Sequence, residues 1–173
     1  MQVDRDVAYR VSDHPKHRLD LYSTSGEHPC VVFIHGGYWV SGDRRAPEHG
    51  AGLYGSLGSA LAQRGIDVVI PSYRLAPEAT IADMQADVQA ALAWTREPRR
   101  CTWLVVTGHS AGGPLALLVA LAGGVDGVVA MSAIWDVADM RAQHDAGWNQ
   151  RVTSAVFGEG SDARWSPLER LSG

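Results

Sequence analysis

Gly108-His109-Ser110-Ala111-Gly112-Gly113 stands between an apolar run, Trp103–Thr107, and a stretch reaching to Leu121 that is apolar nearly all round. Few folds accommodate that arrangement. The run has the length of a strand and the stretch after it that of a helix. The small residues between them allow a sharp turn in which neighbouring backbones approach without Cβ clashes. A helix with no polar face is buried, so Ser110–Leu121 must lie on a sheet. Three more continuous apolar runs supply it: Cys30–Ile34, stopped at His35-Gly36-Gly37; Ile66–Ile70, ended by Pro71; and Gly127–Met131. Apolar on both faces, the four runs read as central strands of a buried parallel sheet. Val7–Val11 and Arg18–Tyr22 precede them as a pair of half-buried strands.

Helical segments fill the gaps. Leu53–Arg64 carries Leu53, Leu57, Ala60 and Leu61 at helical spacing, with Gly65 as its stop. Thr80 and Asp83 form a capping box for a helix whose stripe is Ile81, Met84, Val88 and Leu92, with Asp83 and Asp87 facing away and Pro98 as its limit. Alternating strands and helices predict one doubly wound α/β domain over residues 1–173, with a mostly parallel sheet. After Met131, Ile134–Met140, Asn149–Phe157 and Ser166–Leu171 read as short helices, and no further strand is evident.

Composition narrows the partners. Fifteen basic against nineteen acidic residues give a net charge of −4, and no Lys/Arg block stands out, which speaks against nucleic acid. Lys16 is the one lysine, so Schiff-base chemistry and a P-loop at residues 108–113 are both disfavoured. The longest apolar stretch, Leu115–Ala122, is too short to span a bilayer, and the N-terminus carries no secretion signal, so the expected compartment is the cytoplasm with no membrane partner. Cys30 and Cys101 then read as small buried thiols rather than a disulfide. His14 and His17 flank Pro15 and read as surface loop. No metal site or cofactor is expected.

Ser110 is the candidate nucleophile. A strand-to-helix turn pushes its side chain out at the C-terminal edge of the sheet, and the Ala111 N–H at the helix start points where negative charge would develop on a substrate oxygen. The second signal is His35-Gly36-Gly37-Tyr38-Trp39, directly after a strand. Diglycine there frees the N–H groups of Gly37 and Tyr38 to face a ligand. With Ala111 they would form an oxyanion hole, supported by the turn of His35 and Gly36. His35 is expected to hold this loop by hydrogen bonding rather than act as a base.

These motifs, with Tyr73-Arg74-Leu75-Ala76-Pro77-Glu78, Trp135-Asp136 and Ser166-Pro167-Leu168, resemble the α/β-hydrolase superfamily. Within its esterase-like branch the chain is similar to kynurenine formamidase and isoprenylcysteine methylesterase-like carboxylesterases. The resemblance implies a serine hydrolase that cleaves a small carboxylic ester or aryl-formamide through a Ser110 acyl-enzyme. It implies that Tyr38 and Trp39 line the pocket mouth, the alternative being that they simply pack on the sheet edge.

In this fold the order is nucleophile, acid, histidine. His144 is the one histidine after Ser110, and the acids there are Asp126, Asp136, Asp139, Asp145, Glu159, Asp162 and Glu169. The resemblance places acid and histidine after two further strands, which would take about 50–60 more residues. The expectation is therefore a C-terminally truncated domain that lacks the last two strands. Asp136 and His144 satisfy the order as a substitute acid and base, though a solvated helix-surface histidine also accounts for His144. The alternative function is a catalytically inactive hydrolase-fold binding module or fragment. Without those strands Gly127–Met131 becomes an unguarded edge, which predicts marginal stability and self-association.

Overall fold

The structure, a computed structural model, describes residues 1–45, 52–97, 101–160 and 162–171. The elements run β1 (Gln2–Ala8), β2 (Arg18–Ser23), β3 (His28–Ile34), α1 (Leu53–Ala62), β4 (Asp67–Pro71), α2 (Ile81–Arg96), β5 (Cys101–His109), α3 (Gly112–Leu121) and β6 (Gly127–Met131). Short helices follow: α4 (Val137–Ala142), α5 (Ala146–Arg151), α6 (Thr153–Phe157), α7 (Asp162–Trp165) and α8 (Pro167–Leu171).

One six-stranded sheet has the order β1-β2-β4-β3-β5-β6. The first two strands run antiparallel to their neighbours, whereas β4, β3, β5 and β6 pair in parallel. Helices cover both faces because the central strands are apolar on both. Phe33, Val68 and Ile70 pack with Tyr54 and Ala62 of α1. Val32, Ile34 and Val106 point the other way, into a core shared with Met84, Val88, Leu115 and Leu118 of α2 and α3. From β3 the chain winds through α1 to β4 on one side, then crosses back through α2 to β5 on the other. A crevice opens where the winding reverses, at the C-terminal ends of β3 and β5. The turn His35–Trp39 and Ser110 both leave the sheet there.

Several expectations need correction. The first strand is Gln2–Ala8 rather than Val7–Val11. It is a polar edge strand, bulged between Asp4 and Val7, so it lacks the alternation that marks a half-buried strand. Asn149–Phe157 divides at Val152 into two helices, and α7 is additional.

Asp87 does not face away but is fully buried, because it lies three residues after Met84 on the buried stripe of α2. Arg10, Arg74 and His17 hold its carboxylate, at 3.1, 2.8 and 3.1 Å respectively. His17 is accordingly buried, not surface loop. Burial pushes its imidazole pKa down against the pull of Asp87.

Cys30 and Cys101 form a disulfide with Cα atoms 5.4 Å apart, contrary to the thiol reading. Parallel pairing of β3 with β5 brings together two residues 71 apart in sequence. Nothing in the local pattern of either run reports that pairing.

Among the described residues β6 is the terminal strand of the sheet, not one of the central strands that its pattern suggests. Val128, Val129 and Met131 are 37, 50 and 39% exposed. Residue Leu171 of α8 reaches the apolar groove beside Leu117, Leu121 and Val128 but leaves those strand residues uncovered.

Candidate functional site

The strand–turn–helix at Ser110 has strained backbone for a reason visible in its neighbours. Ser110 sits at φ 53°, a left-handed conformation that a side chain adopts at a cost of about 1–3 kcal/mol. Two hydrogen bonds fix it. Its N–H donates to the Met131 carbonyl at the end of β6, and its own carbonyl accepts from Gly113 N–H, each at 2.9 Å. Gly112 lies so close to the end of β3 that a Cβ there would collide with the carbonyl oxygens of Ile34 and His35. The hydroxyl of Ser110 is only partly buried and bonds to no other described residue, and the Ala111 N–H likewise has no acceptor among them.

The turn after β3 abuts this elbow. A Cβ at Gly36 would lie 3.1 Å from the Ser110 Cβ and 3.0 Å from the His109 carbonyl oxygen. Gly37, Tyr38 and Trp39 follow at φ 121°, 52° and 63°. The Gly37 carbonyl turns inward to accept from Val40 N–H, Ser41 N–H and Ser41 Oγ at 3.0–3.1 Å. Among the described residues the N–H groups of Gly37 and Tyr38 have no acceptor. His35 is buried, and its Nδ1–H donates to the Gly36 carbonyl at 2.8 Å, which ties the ring to the turn.

Two supports escaped that reading. Tyr73 stacks on the His35 ring at 4.3 Å and donates its hydroxyl to the His35 carbonyl at 2.9 Å. Burial drives its phenol pKa far up, which keeps it a donor. Trp39 is wholly buried, edge-on to Phe157, while its carbonyl accepts from Ala76 N–H at 2.9 Å. It therefore anchors the loop and does not line a pocket mouth, whereas Tyr38 is 44% exposed. Tyr73 belongs to a segment the motifs single out, yet a contact across 38 residues has no local signal.

Asp136 and His144 reach the same neighbourhood. Both line a cleft of about 500 Å³ together with Tyr38, Trp135, Met140 and Leu168. Neither bonds to the other or to Ser110. Asp136 caps α4, accepting from the N–H groups of Ala138 and Asp139 at 2.8 and 3.1 Å. The His144 Nδ1–H donates to the Met140 carbonyl at 2.8 Å, and its ring stacks on Trp148 at 3.7 Å. The structure thus joins Ser110, Ala111 and the His35–Tyr38 turn, and leaves the substitute pair engaged elsewhere. Among the described residues no group of three or more His, Cys, Asp or Glu side chains is placed to hold a metal ion, and no helix is long and apolar enough to cross a membrane.

Comparison with known proteins agrees with the architecture. The chain matches the BD-FAE family over residues 19–165. Isoprenylcysteine alpha-carbonyl methylesterase ICME of Arabidopsis thaliana is 33% identical over 199 residues, spanning 98% of this chain and 44% of its own length. Kynurenine formamidase of Danio rerio is 32% identical over 124 residues, spanning 68% and 39%. The chain spans less than half the length of these curated relatives. Inhibited esterase B from Lactobacillus rhamnosis superposes with a TM-score of 0.79 at 22% identity, covering 99% of this chain and 62% of that one. Thermogutta terrifontis esterase 2 phosphonylated by sarin gives 0.72 at 18%, covering 96% and 67%. The chain belongs to the BD-FAE family and has the α/β-hydrolase fold of those esterases.

Proposed function

We propose that residues 1–173 form one α/β-hydrolase domain carrying the acylation half of a serine carboxylic-ester hydrolase site, with Ser110 as nucleophile. The N–H groups of Gly37, Tyr38 and Ala111 are the oxyanion hole. The observation that supports this reading is the packing of Gly36 against Ser110, together with the lack of any acceptor among the described residues for the N–H groups of Gly37, Tyr38 and Ala111. A substrate carbonyl attacked by Ser110 Oγ becomes a tetrahedral oxyanion. Donors already oriented toward that charge stabilise the transition state, typically by about 3–4 kcal/mol for each well-placed one. The proton shed by Ser110 Oγ passes through solvent to the leaving group, so collapse expels a neutral alcohol or amine and leaves an ester on Ser110. The names of the relatives, a methylesterase and a formamidase, support a small carboxylic ester or an aryl-formamide as substrate.

A second reading, a hydrolase-fold module that binds without turnover, is favoured by one observation: no described acid–histidine pair is hydrogen-bonded to Ser110. A serine without its base retains only the residual catalysis of binding and the oxyanion hole. An alkyl fluorophosphonate separates the two. Labelling that maps to Ser110 and vanishes in Ser110→Ala supports the hydrolase. Unmodified wild-type protein after long exposure supports the binding module.

A further inference from the structure

Lys16 stands out in a chain whose other basic residues are all arginine. Its ammonium group donates to the Gly42 carbonyl at 2.7 Å and to the Asp43 carboxylate at 3.1 Å. Its base is equally fixed. The backbone N–H of Lys16 donates to His14 Nδ1, and the next residue, His17, is buried against Asp87. The acceptor end matters because Gly42 backs directly onto the turn beside Ser110. A Cβ at Gly42 would collide with the Gly36 carbonyl oxygen and His35 Nδ1, so nothing separates the Gly42 backbone from the pair that braces that turn.

Beyond Gly42 the loop is tied to the end of β4. Ser72 Oγ donates to Asp43 at 3.1 Å and accepts from Arg44 N–H at 3.2 Å. Burial raises the Asp43 carboxyl pKa, but the Lys16 and Arg44 charges more than offset it and keep the group ionised. An ammonium suits this place better than a guanidinium. It is a compact charge with three donors that can serve a carbonyl and a carboxylate on different sides, whereas Arg offers a planar fork.

We infer that Lys16 is a positioning residue for the oxyanion loop, holding Gly42 against Gly36 so that the Gly37 and Tyr38 N–H groups keep their aim at Ser110. This rests on the oxyanion-hole reading above. Lys16 touches no substrate; it acts through Gly42 and the turn. A mere surface ion pair would contribute little, but this bond ends on a backbone carbonyl and the ammonium is largely shielded, its side chain 25% exposed.

The test compares wild type, Lys16→Met and Lys16→Arg as full chains by two readouts: amide hydrogen exchange by segment, and the rate of fluorophosphonate labelling at Ser110. Lys16→Met should speed exchange in residues 36–43 and slow labelling, each by about tenfold, the effect of losing one charge-assisted hydrogen bond. Exchange in β5 and α3 should stay as in wild type. Lys16→Arg, which keeps the charge but serves the two acceptors less well, should recover each only in part. Unchanged exchange in the loop would overturn the inference, as would loosened exchange with unchanged labelling, or an arginine variant as impaired as the methionine one. Failure of the wild type to label at all would overturn the hydrolase reading and this role with it, so the two failures are distinguishable.

Discussion

Residues 28–45 and 101–113 take their polar ties from partners across the sheet, whereas residues 132–171 take theirs from caps and turns within the segment and meet the sheet through apolar packing of Val137, Met140, Val156, Phe157 and Trp165. In the first region β3 and β5 pair in parallel over their length, Cys30 and Cys101 join them at one end, and Gly112 locks the elbow against β3 at the other. In the second, Asp136 and Asp145 cap helices of six residues each, and Arg141 bridges to Asp162 at 2.7 Å. Its ties across the segment are Val137 N–H to Ser166 Oγ and Leu168 N–H to the Trp135 carbonyl. Such short helices are marginal on their own. The difference teaches that the sheet fixes Ser110 and the His35–Tyr38 turn, while the polar bonds of Asp136 and His144 stay within their own segment and His144 meets the turn only through an edge contact with the Tyr38 ring.

The contrast can be broken most severely at Gly112. Gly112→Ala drives a methyl group into the backbone of Ile34 and His35, which cannot yield without moving α3, and should cost more than about 3 kcal/mol. Circular dichroism and thermal melting should show little or no cooperative unfolding. Close behind comes removal of the disulfide by Cys30→Ser with Cys101→Ser. The chain-entropy argument for a loop of this length sets a ceiling of about 4 kcal/mol. Urea unfolding with and without reductant checks it, and a wild type indifferent to reductant would contradict the cross-link.

Asp136→Ala should cost only about 1 kcal/mol, the effect of losing a helix cap. It should leave fluorophosphonate labelling of Ser110 within about twofold. A large loss of labelling would mean that this carboxylate does more than cap α4. The smallest effect is expected at β6. Its exposed valines and unpaired edge should make elution on size-exclusion chromatography shift gradually with concentration. A sharp monomer peak at every concentration would show that the edge is protected in solution.

Legibility in the sequence follows the same division. The turns at Ser110 and His35–Tyr38 are readable because strand, small residues and helix lie next to one another, so their backbone geometry follows from local sequence. The capping box at Thr80 was readable for that reason too. Asp87 is harder to read: its spacing from Met84 puts it on the buried stripe, but a carboxylate belongs in solvent unless buried cations meet it, and the helix sequence does not report them. Those partners, Arg10, His17 and Arg74, come from other parts of the chain, as do the partners of Cys30 and Tyr73. Pairings of this kind are products of topology and leave no trace in spacing. The bounds of the polar strand β1 are hidden because an edge strand with a bulge shows no period to read.

The central claim, that Ser110 is an acylatable nucleophile whose competence owes nothing to His144, is tested most directly by mass spectrometry after p-nitrophenyl acetate treatment. Peptide mapping of wild type, His144→Ala and Ser110→Ala shows where the acetyl group resides. The account predicts acetyl-Ser110 in wild type and, to a similar extent, in His144→Ala, with none at that peptide in Ser110→Ala. Acetylation confined to Lys16 and the N-terminus, or loss of acetyl-Ser110 in His144→Ala, would contradict it.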